Sequence, residues 1–409
     1  MAEALAVWLY GDHVATVERD RRGPRLTYTD TALARYELGT PLLTLSLPVD
    51  RRTYPQGVVR SFLDGLLPEG EARRAIARDI GESSNDTFAL IRALGRDCAG
   101  AVVIQPAEDP PPPPPTTATA APLSSEELES LVRELRSAPL GAGGRVRVSL
   151  AGVQEKLVLT RMPDGRWGRP IDGTPSTHIL KPEIAAYPMT VENEAFCMRV
   201  AMHLGLSVAQ VETTEIAGRK LIVVERYDRD VAADGTVQRI HQEDLCQAAG
   251  IAPEAKYEED GGPSLSRIAG ILATVTPRDS LERLLEAVVV NSVLGNGDAH
   301  AKNFSLLHEP GGALRLSPLY DIVSTLHYGD DRLAMHVDGV HRTSGVTSDR
   351  IAAEATRWGL SRAVAAEVIG GLLSRASEAI TAARDETPGI PDALVATVTK
   401  QLARVAAAT

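Results

Sequence analysis

Six consecutive prolines, Pro110 to Pro115, constrain this chain more than any other feature. None has an amide hydrogen and each fixes φ near −65°, so neither a helix interior nor a central strand can run through them. The surrounding segment, EDPPPPPPTTATAAP, must therefore be extended. Two readings are open: a polyproline spacer joining two modules, or an extended connection packed on the surface of one domain. Regular structure has to stop before the tract and restart after it. Ser124-Ser-Glu-Glu supplies the restart, as a capping box opening a helix that runs to Arg136.

Ahead of the tract the patterning is that of a small α+β module. LAVWL and VATV flank Gly11-Asp12, a turn signal, so residues 5–19 read as a β-hairpin. Residues 57–80 carry Val58, Phe62, Leu66, Ala75, Ile76 and Ile80 and close on Gly81, which predicts a helix. AVVI at 101–104 predicts a strand. Beyond the tract, VRVSL, KLVLTR, THILKP, VETTEI and KLIVVERY predict strands, with one helix from Glu194 to His203 ended by Gly205. From residue 241 the chain turns mostly helical, with LERLLEAVVVNSVL at 281–294 and a closing helix near 391–407.

That order, strands with one helix and then helices, is the order of a two-lobed kinase-like phosphotransferase. The expected fold class is α+β. The expected division is an N-terminal α+β subdomain at 1–108, a proline-rich linker at 109–123, a nucleotide-binding lobe at 124–240 and a helical C-terminal lobe at 241–409.

Charge and cysteine content exclude several classes. A net charge of −11 makes the chain a poor nucleic-acid wrapper on its own, because neutralising phosphates needs clustered Lys and Arg. The three cysteines, Cys98, Cys197 and Cys246, lack metal-ligand spacing and read as reduced, buried thiols. No apolar stretch is long enough to span a bilayer, and the first residues do not read as a signal peptide. The expected location is the cytoplasm, with no membrane partner. GxSxG, HExxH and paired CxxC motifs are missing, which removes the corresponding hydrolase and zinc chemistries.

The chemistry-bearing run is Gly297-Asp-Ala-His-Ala-Lys-Asn303, which follows a long apolar helix. Asp298 and Asn303 stand at the Asp-to-Asn spacing of a protein-kinase catalytic loop. Phosphoryl transfer needs a carboxylate to orient the attacking hydroxyl and take its proton. It also needs an amide oxygen to ligate magnesium and a cation near the phosphoryl group, for which His300 and Lys302 are candidates. Asp321, in Ser317-Pro-Leu-Tyr-Asp-Ile, follows a predicted hairpin. It is either a second magnesium ligand or the cap of a helix starting at Ile322. Lys181 ends an apolar strand, as a lysine gripping ATP phosphates does and as many surface lysines do. Ser149 to Lys156 is a small-residue loop between strands, which lets backbone N–H groups approach phosphate. Glu225 to Asp228 leaves a strand as a hinge that reads adenine would, or as an ordinary strand end.

SLAGVQEK, HILKPE, VENEAFCMRVA, VVERYDR, HQEDLCQAAG, NGDAHAKNFSL and SPLYDI resemble the motifs of the HipA family, kinase toxins of HipA–HipB toxin–antitoxin modules. SFLDGLLPEGEARRAIAR and ALGRDCAGAV resemble that family's N-terminal subdomain. The resemblance implies a serine/threonine kinase using ATP and Mg2+, with Asp298 catalytic and Asn303 and Asp321 on the metal. It places the phosphate-gripping loop on Ala151, Gly152, Val153, Gln154, Glu155 and Lys156, and the ATP lysine on Lys181. The adenine hinge falls on Glu225, Arg226 and Tyr227. His300, Ala301, Lys302 and Tyr320 complete the nucleotide side, and Ser149 matches a regulatory autophosphorylated serine. The implied target is an aminoacyl-tRNA synthetase. The implied partner is a HipB-like helix-turn-helix antitoxin, through which alone the chain reaches operator DNA. Gly297 stands where Thr is common, a change expected to loosen the loop slightly. A small-molecule or lipid phosphotransferase shares the same loop pattern, and a non-catalytic corepressor is the reading from another class.

Overall fold

The computed structural model describes residues 3–135, 154–309 and 312–407. It falls into two compact units. The first comprises Met1–Pro182, Thr214–Glu243 and Gln247–Pro253; the second comprises Glu183–Thr213, Asp244–Cys246 and Glu254–Thr409.

The first unit begins with an antiparallel sheet in the order Gly23–Tyr28, Asp12–Asp20, Ala4–Leu9, Val102–Pro106. Its opening hairpin turns one residue earlier than predicted. Leu9 pairs with Asp12, and Tyr10 and Gly11 both take positive φ, the tight two-residue turn that suits twisted strands. The single helix predicted over 57–80 is two helices, Gln56–Leu66 and Gly70–Asp79. Pro68 lies between them, and a helix cannot donate a bond there. Asp64, buried at the end of the first, accepts from Arg73 Nη2 at 2.8 Å and Thr87 Oγ1 at 2.7 Å, which ties both helices to Thr87–Leu94. These helices and the sheet enclose one core that includes Leu5, Val7, Leu26, Phe62, Leu63 and Ile104.

A six-stranded sheet follows in the order Ala121–Pro122, Trp167–Arg169, Leu157–Arg161, His178–Pro182, Arg219–Glu225, Val211–Ile216; the last strand belongs to the first unit from Thr214. The helix Ser125–Glu134 has the reciprocal capping box read from the sequence. It packs Leu131 and Val132 against Leu157, Leu159 and Val223 of the sheet.

The proline run is fastened inside this unit. Gln105 Nε2 donates to Pro110 O at 2.6 Å, Val237 N–H to Pro115 O at 3.0 Å, and Thr117 N–H to Gly235 O at 2.8 Å. Prolines keep their carbonyls, and those carbonyls are what the neighbouring strands use.

A buried ion network holds the segment after Glu225. Arg226 clasps Asp228 through both oxygens, Nε to Oδ1 at 2.9 Å and Nη2 to Oδ2 at 2.8 Å. Asp97 accepts from Arg229 Nη2 at 3.0 Å, lies 3.4 Å from Arg226 Nη1 and 3.3 Å from Arg239 Nη2, and also takes the Ser176 N–H at 2.9 Å. Cys98 O accepts from Arg226 and Arg229, and Gly100 O from Arg229. Burial opposes ionisation of Asp97, but Arg229, Arg226 and Arg239 outweigh it and hold its carboxyl below the usual range. The cysteines are free and buried.

The second unit is mainly helical: Thr190–His203, Leu265–Val275, Asp279–Leu294, Ser348–Arg357, Arg362–Asp385 and Asp392–Ala406. The first of these begins four residues before the expected Glu194. The β-branched pair Thr190-Val191 gives no helical signal, yet both are buried within its first turn. Two antiparallel hairpins interrupt the helices, Ser305–His308 with Leu314–Leu316 and Arg332–Val337 with Val340–Arg342. Among the described residues no helix is long and apolar enough to cross a membrane.

Candidate functional site

The loop carrying Asp298 hangs from the C-terminus of the buried helix Asp279–Leu294. Gly295 ends that helix at φ +65°, and the Asn296 N–H returns to Asn291 O at 2.9 Å. Asn296 then links both sides: its Nδ2 donates to Asn291 Oδ1 at 2.8 Å, and its Oδ1 accepts the Asp298 N–H at 3.0 Å. Gly297 does not loosen this loop. A Cβ there would lie 2.1 Å from Arg332 O and 2.8 Å from Thr325 Oγ1. The Gly297 N–H donates to that Thr325 hydroxyl at 2.8 Å, and its carbonyl accepts the Ala334 N–H at 2.7 Å. The glycine marks a close approach of two backbones, so the expected loosening is corrected to the opposite.

Asp298 and Asn303 are joined directly, the Asn303 amide donating to Asp298 O at 3.0 Å. That fixes the nitrogen end and leaves the amide oxygen as acceptor. Asn303, Tyr320 and Asp321 line one small cavity with Asn291, Asn296, Ala299, Phe304, Leu319 and Ile322. Asp321 is no helix cap, because no helix starts at Ile322. It sits at φ +59°, the left-handed region, which costs a non-glycine residue roughly 1 kcal/mol. Three residues further on the backbone is held by a side chain from a helix. Asn193, fully buried in the helix Thr190–His203, accepts the Ser324 N–H at 2.8 Å and donates to Ser324 O at 3.1 Å. An amide oxygen and a carboxylate are oxygen donors of the kind that suit a hard divalent cation such as Mg2+, so the residues present fit that ion.

Two partners were not legible from the sequence. Tyr257 Oη donates to Asp298 Oδ1 at 2.8 Å, and its ring meets His300 edge-on at 5.4 Å. Burial raises the Asp298 carboxyl above its usual range; the Tyr257 bond opposes this, and the charge of Asp321 adds to it. Asp244 holds Lys302 Nζ at 2.7 Å, both side chains being largely buried. Lys302 thus has its charge matched by a carboxylate, which bears on its expected role beside a phosphoryl group. Tyr320 Oη donates to Lys302 O at 2.7 Å and fixes the same loop. His300 and Ala301 are buried within it. Tyr257 lies in no motif; Asp244 lies in HQEDLCQAAG, where only its place beside Glu243 could have drawn notice.

The remaining candidates lie in the first unit. Lys181 pairs across the sheet with Ile222 and is buried, as is Lys156. Gln154 Nε2 donates to Pro182 O at 3.3 Å, and Glu155 is half-buried. Of the expected hinge, Glu225 is exposed, Tyr227 Oη donates to Gln242 Oε1, and Arg226 gives its guanidinium to the ion network and its N–H to Thr177 O at 2.9 Å. Ser149, Ala151, Gly152 and Val153 lie outside the described residues, as does the strand expected at 146–150.

Strand-rich and helix-rich units, with Asp298, Asn303 and Asp321 gathered in the latter, are the organisation of a kinase-like protein. The chain belongs to the HipA family: the HipA N-terminal domain matches residues 5–105 and the HipA-like C-terminal domain residues 148–380. It is 38% identical over 391 residues to Y4mE of Sinorhizobium fredii, a protein that carries a kinase name, covering 94% of this chain and 92% of that one. It is 33% identical over 337 residues to the serine/threonine-protein kinase toxin HipA of Shewanella oneidensis, covering 78% and 76%. A solved complex of Shewanella oneidensis HipA, HipB and operator DNA contains a chain that superposes with a TM-score of 0.82 at 27% identity, over 98% of this chain and 95% of that one.

Proposed function

We propose that this chain is an ATP-dependent serine/threonine protein kinase and the toxin of a toxin–antitoxin pair. The observation that carries the reading is the arrangement in the second unit: Asp298 bonded to Asn303, and Asn303 sharing a cavity with Asp321. Asp298 orients the acceptor hydroxyl and takes its proton as the oxygen attacks the γ-phosphorus and ADP departs. Tyr257 holds one carboxylate oxygen and leaves the other to the acceptor. Asn303 and Asp321 would hold Mg2+, which when bound would supply positive charge beside the phosphoryl oxygens. Lys181 and the loop from Ala151 to Lys156 take the nucleotide phosphates, and Glu225 to Tyr227 the adenine. Ser149 is the autophosphorylation site, where about −1.5 to −2 of added charge repels the phosphates the loop would grip. A HipB-like helix-turn-helix protein is the antitoxin and supplies the contact to operator DNA that a chain of net charge −11 does not favour. An aminoacyl-tRNA synthetase is the proposed substrate.

Induced expression in bacteria, followed by phosphoproteomics, tests this. Growth arrest is expected, with phosphate on a translation protein and on Ser149, and relief by the co-expressed antitoxin. Absence of arrest together with efficient phosphorylation of a lipid or aminoglycoside in vitro would overturn the reading in favour of a small-molecule kinase.

Tyr257→Phe gives a finer test. Losing one hydrogen bond to a charged group removes about 1.5–3 kcal/mol of interaction at most, so kcat is expected to fall roughly tenfold. The lost bond favoured the ionised carboxylate, so the acid limb of the pH–rate profile should move to higher pH. An unchanged profile would remove Tyr257 from the site.

A further inference from the structure

Outside the candidate kinase site, Glu259, His336 and His341 converge. Their ligand-capable atoms all lie within 4.8 Å of one another, and no other such cluster of three occurs among the described residues. His336 belongs to the strand Arg332–Val337 and His341 to its hairpin partner Val340–Arg342. Glu259 lies in the single turn Glu258–Asp260. His341 Nδ1 and His336 Nε2 face each other at 2.9 Å. Two ligands on one zinc ion, each about 2.0–2.1 Å from it, stand roughly 3.3 Å apart, so the nitrogens need to separate by only a few tenths of an ångström.

The other face of His336 is also organised. Glu258 Oε1 lies 3.4 Å from His336 Nδ1, and Glu258 Oε2 accepts the His336 N–H at 2.7 Å. A carboxylate behind the non-ligating nitrogen is the arrangement that orients a metal-bound imidazole. Two imidazoles and one carboxylate suit a borderline transition-metal ion, not Mg2+ or Ca2+, which take oxygen.

We propose that Glu259, His336 and His341 bind a divalent transition-metal ion of the zinc class, with water completing its shell. The geometry gives the ion a consequence. Its ligands join the hairpin, whose Ala334 N–H holds Gly297 O, to the turn that follows Tyr257, whose hydroxyl holds Asp298. Bound metal braces the Asp298 loop from two sides.

The test is calorimetric titration of the full chain, stripped with chelator and dialysed, with zinc chloride in millimolar magnesium chloride. One equivalent is expected to bind in the micromolar range or tighter. His341→Ala and Glu259→Gln, both at exposed positions, should each weaken binding at least tenfold with unchanged circular dichroism, whereas Asp321→Ala should keep it. Cobalt should give visible bands that His341→Ala abolishes. No saturable one-to-one binding, or equal affinity in His341→Ala and Glu259→Gln, would overturn the site. Loss of zinc binding in Asp321→Ala instead would assign the ion to the kinase centre. Zinc binding that follows these expectations stands even if no kinase activity is found.

Discussion

Asp298→Asn is expected to abolish phosphotransfer while the protein stays folded. A positioned general base contributes about 10²–10⁴-fold, which is roughly 2.7–5.4 kcal/mol of barrier. Asparagine fills the same space, and the Asn296 bond to the Asp298 N–H is a backbone bond that the substitution leaves alone. The loss should therefore fall on kcat, with ATP binding nearly intact. Transfer of phosphate from ATP to the protein or a peptide, measured beside nucleotide affinity, separates the two. Turnover within a few-fold of wild type in a folded Asp298→Asn protein would sink the assignment. Made in cells at equal level, the same variant should be harmless, and toxicity that persisted would point to sequestration of a partner.

Asp97→Asn should instead unfold the first unit readily. Asp97 and Asp228 face three buried guanidiniums, so removing one carboxylate leaves three positive charges against one. Breaking a buried ion pair by deleting one partner costs about 3–5 kcal/mol, because the remaining charge is stranded without water. The pH dependence follows from the lowered carboxyl. Asp97 contributes its full stability above the unfolded carboxylate range, near pH ~4, and loses it as pH falls through its lower folded value. The Asn variant should lack that acid dependence and show a much lower urea midpoint at neutral pH. A midpoint change equivalent to less than about 1 kcal/mol, the range of an exposed pair, would show that the network is not what holds the segment after Glu225.

The sequence carried much of this, for reasons that differ by element. Period and punctuation exposed the first hairpin, the capping box at Ser124 and the helix leading to Asp298, because those signals are local. The break at Pro68 was equally local and was passed over, since the apolar spacing on either side continues through it. The Asp298–Asn303 spacing was legible because both residues sit on one short turn. Tyr257, Asn193 and Asp244 were not, since their partners lie 41, 131 and 58 residues away. Arg226 shows the same limit from another side: its motif drew attention to its place in the chain, while nothing local shows that its guanidinium, clasped by Asp228, also reaches Asp97, more than a hundred residues earlier. Gly297 reads as slack in a string of letters and proves to be a steric requirement once Arg332 is placed beside it.

The partition of the chain bears on how it can be made. The backbone passes from one unit to the other after residues 182, 213, 243, 246 and 253. No single cut releases either unit whole, and a ribosome must synthesise the chain through Pro253 before the first has all its parts. The second unit cannot be complete until the chain is nearly finished, because it closes with the helix Asp392–Ala406. A premature stop before Pro253 leaves both units incomplete, and one between there and the closing helices leaves the second incomplete, so partial translation products of this protein should lack kinase activity.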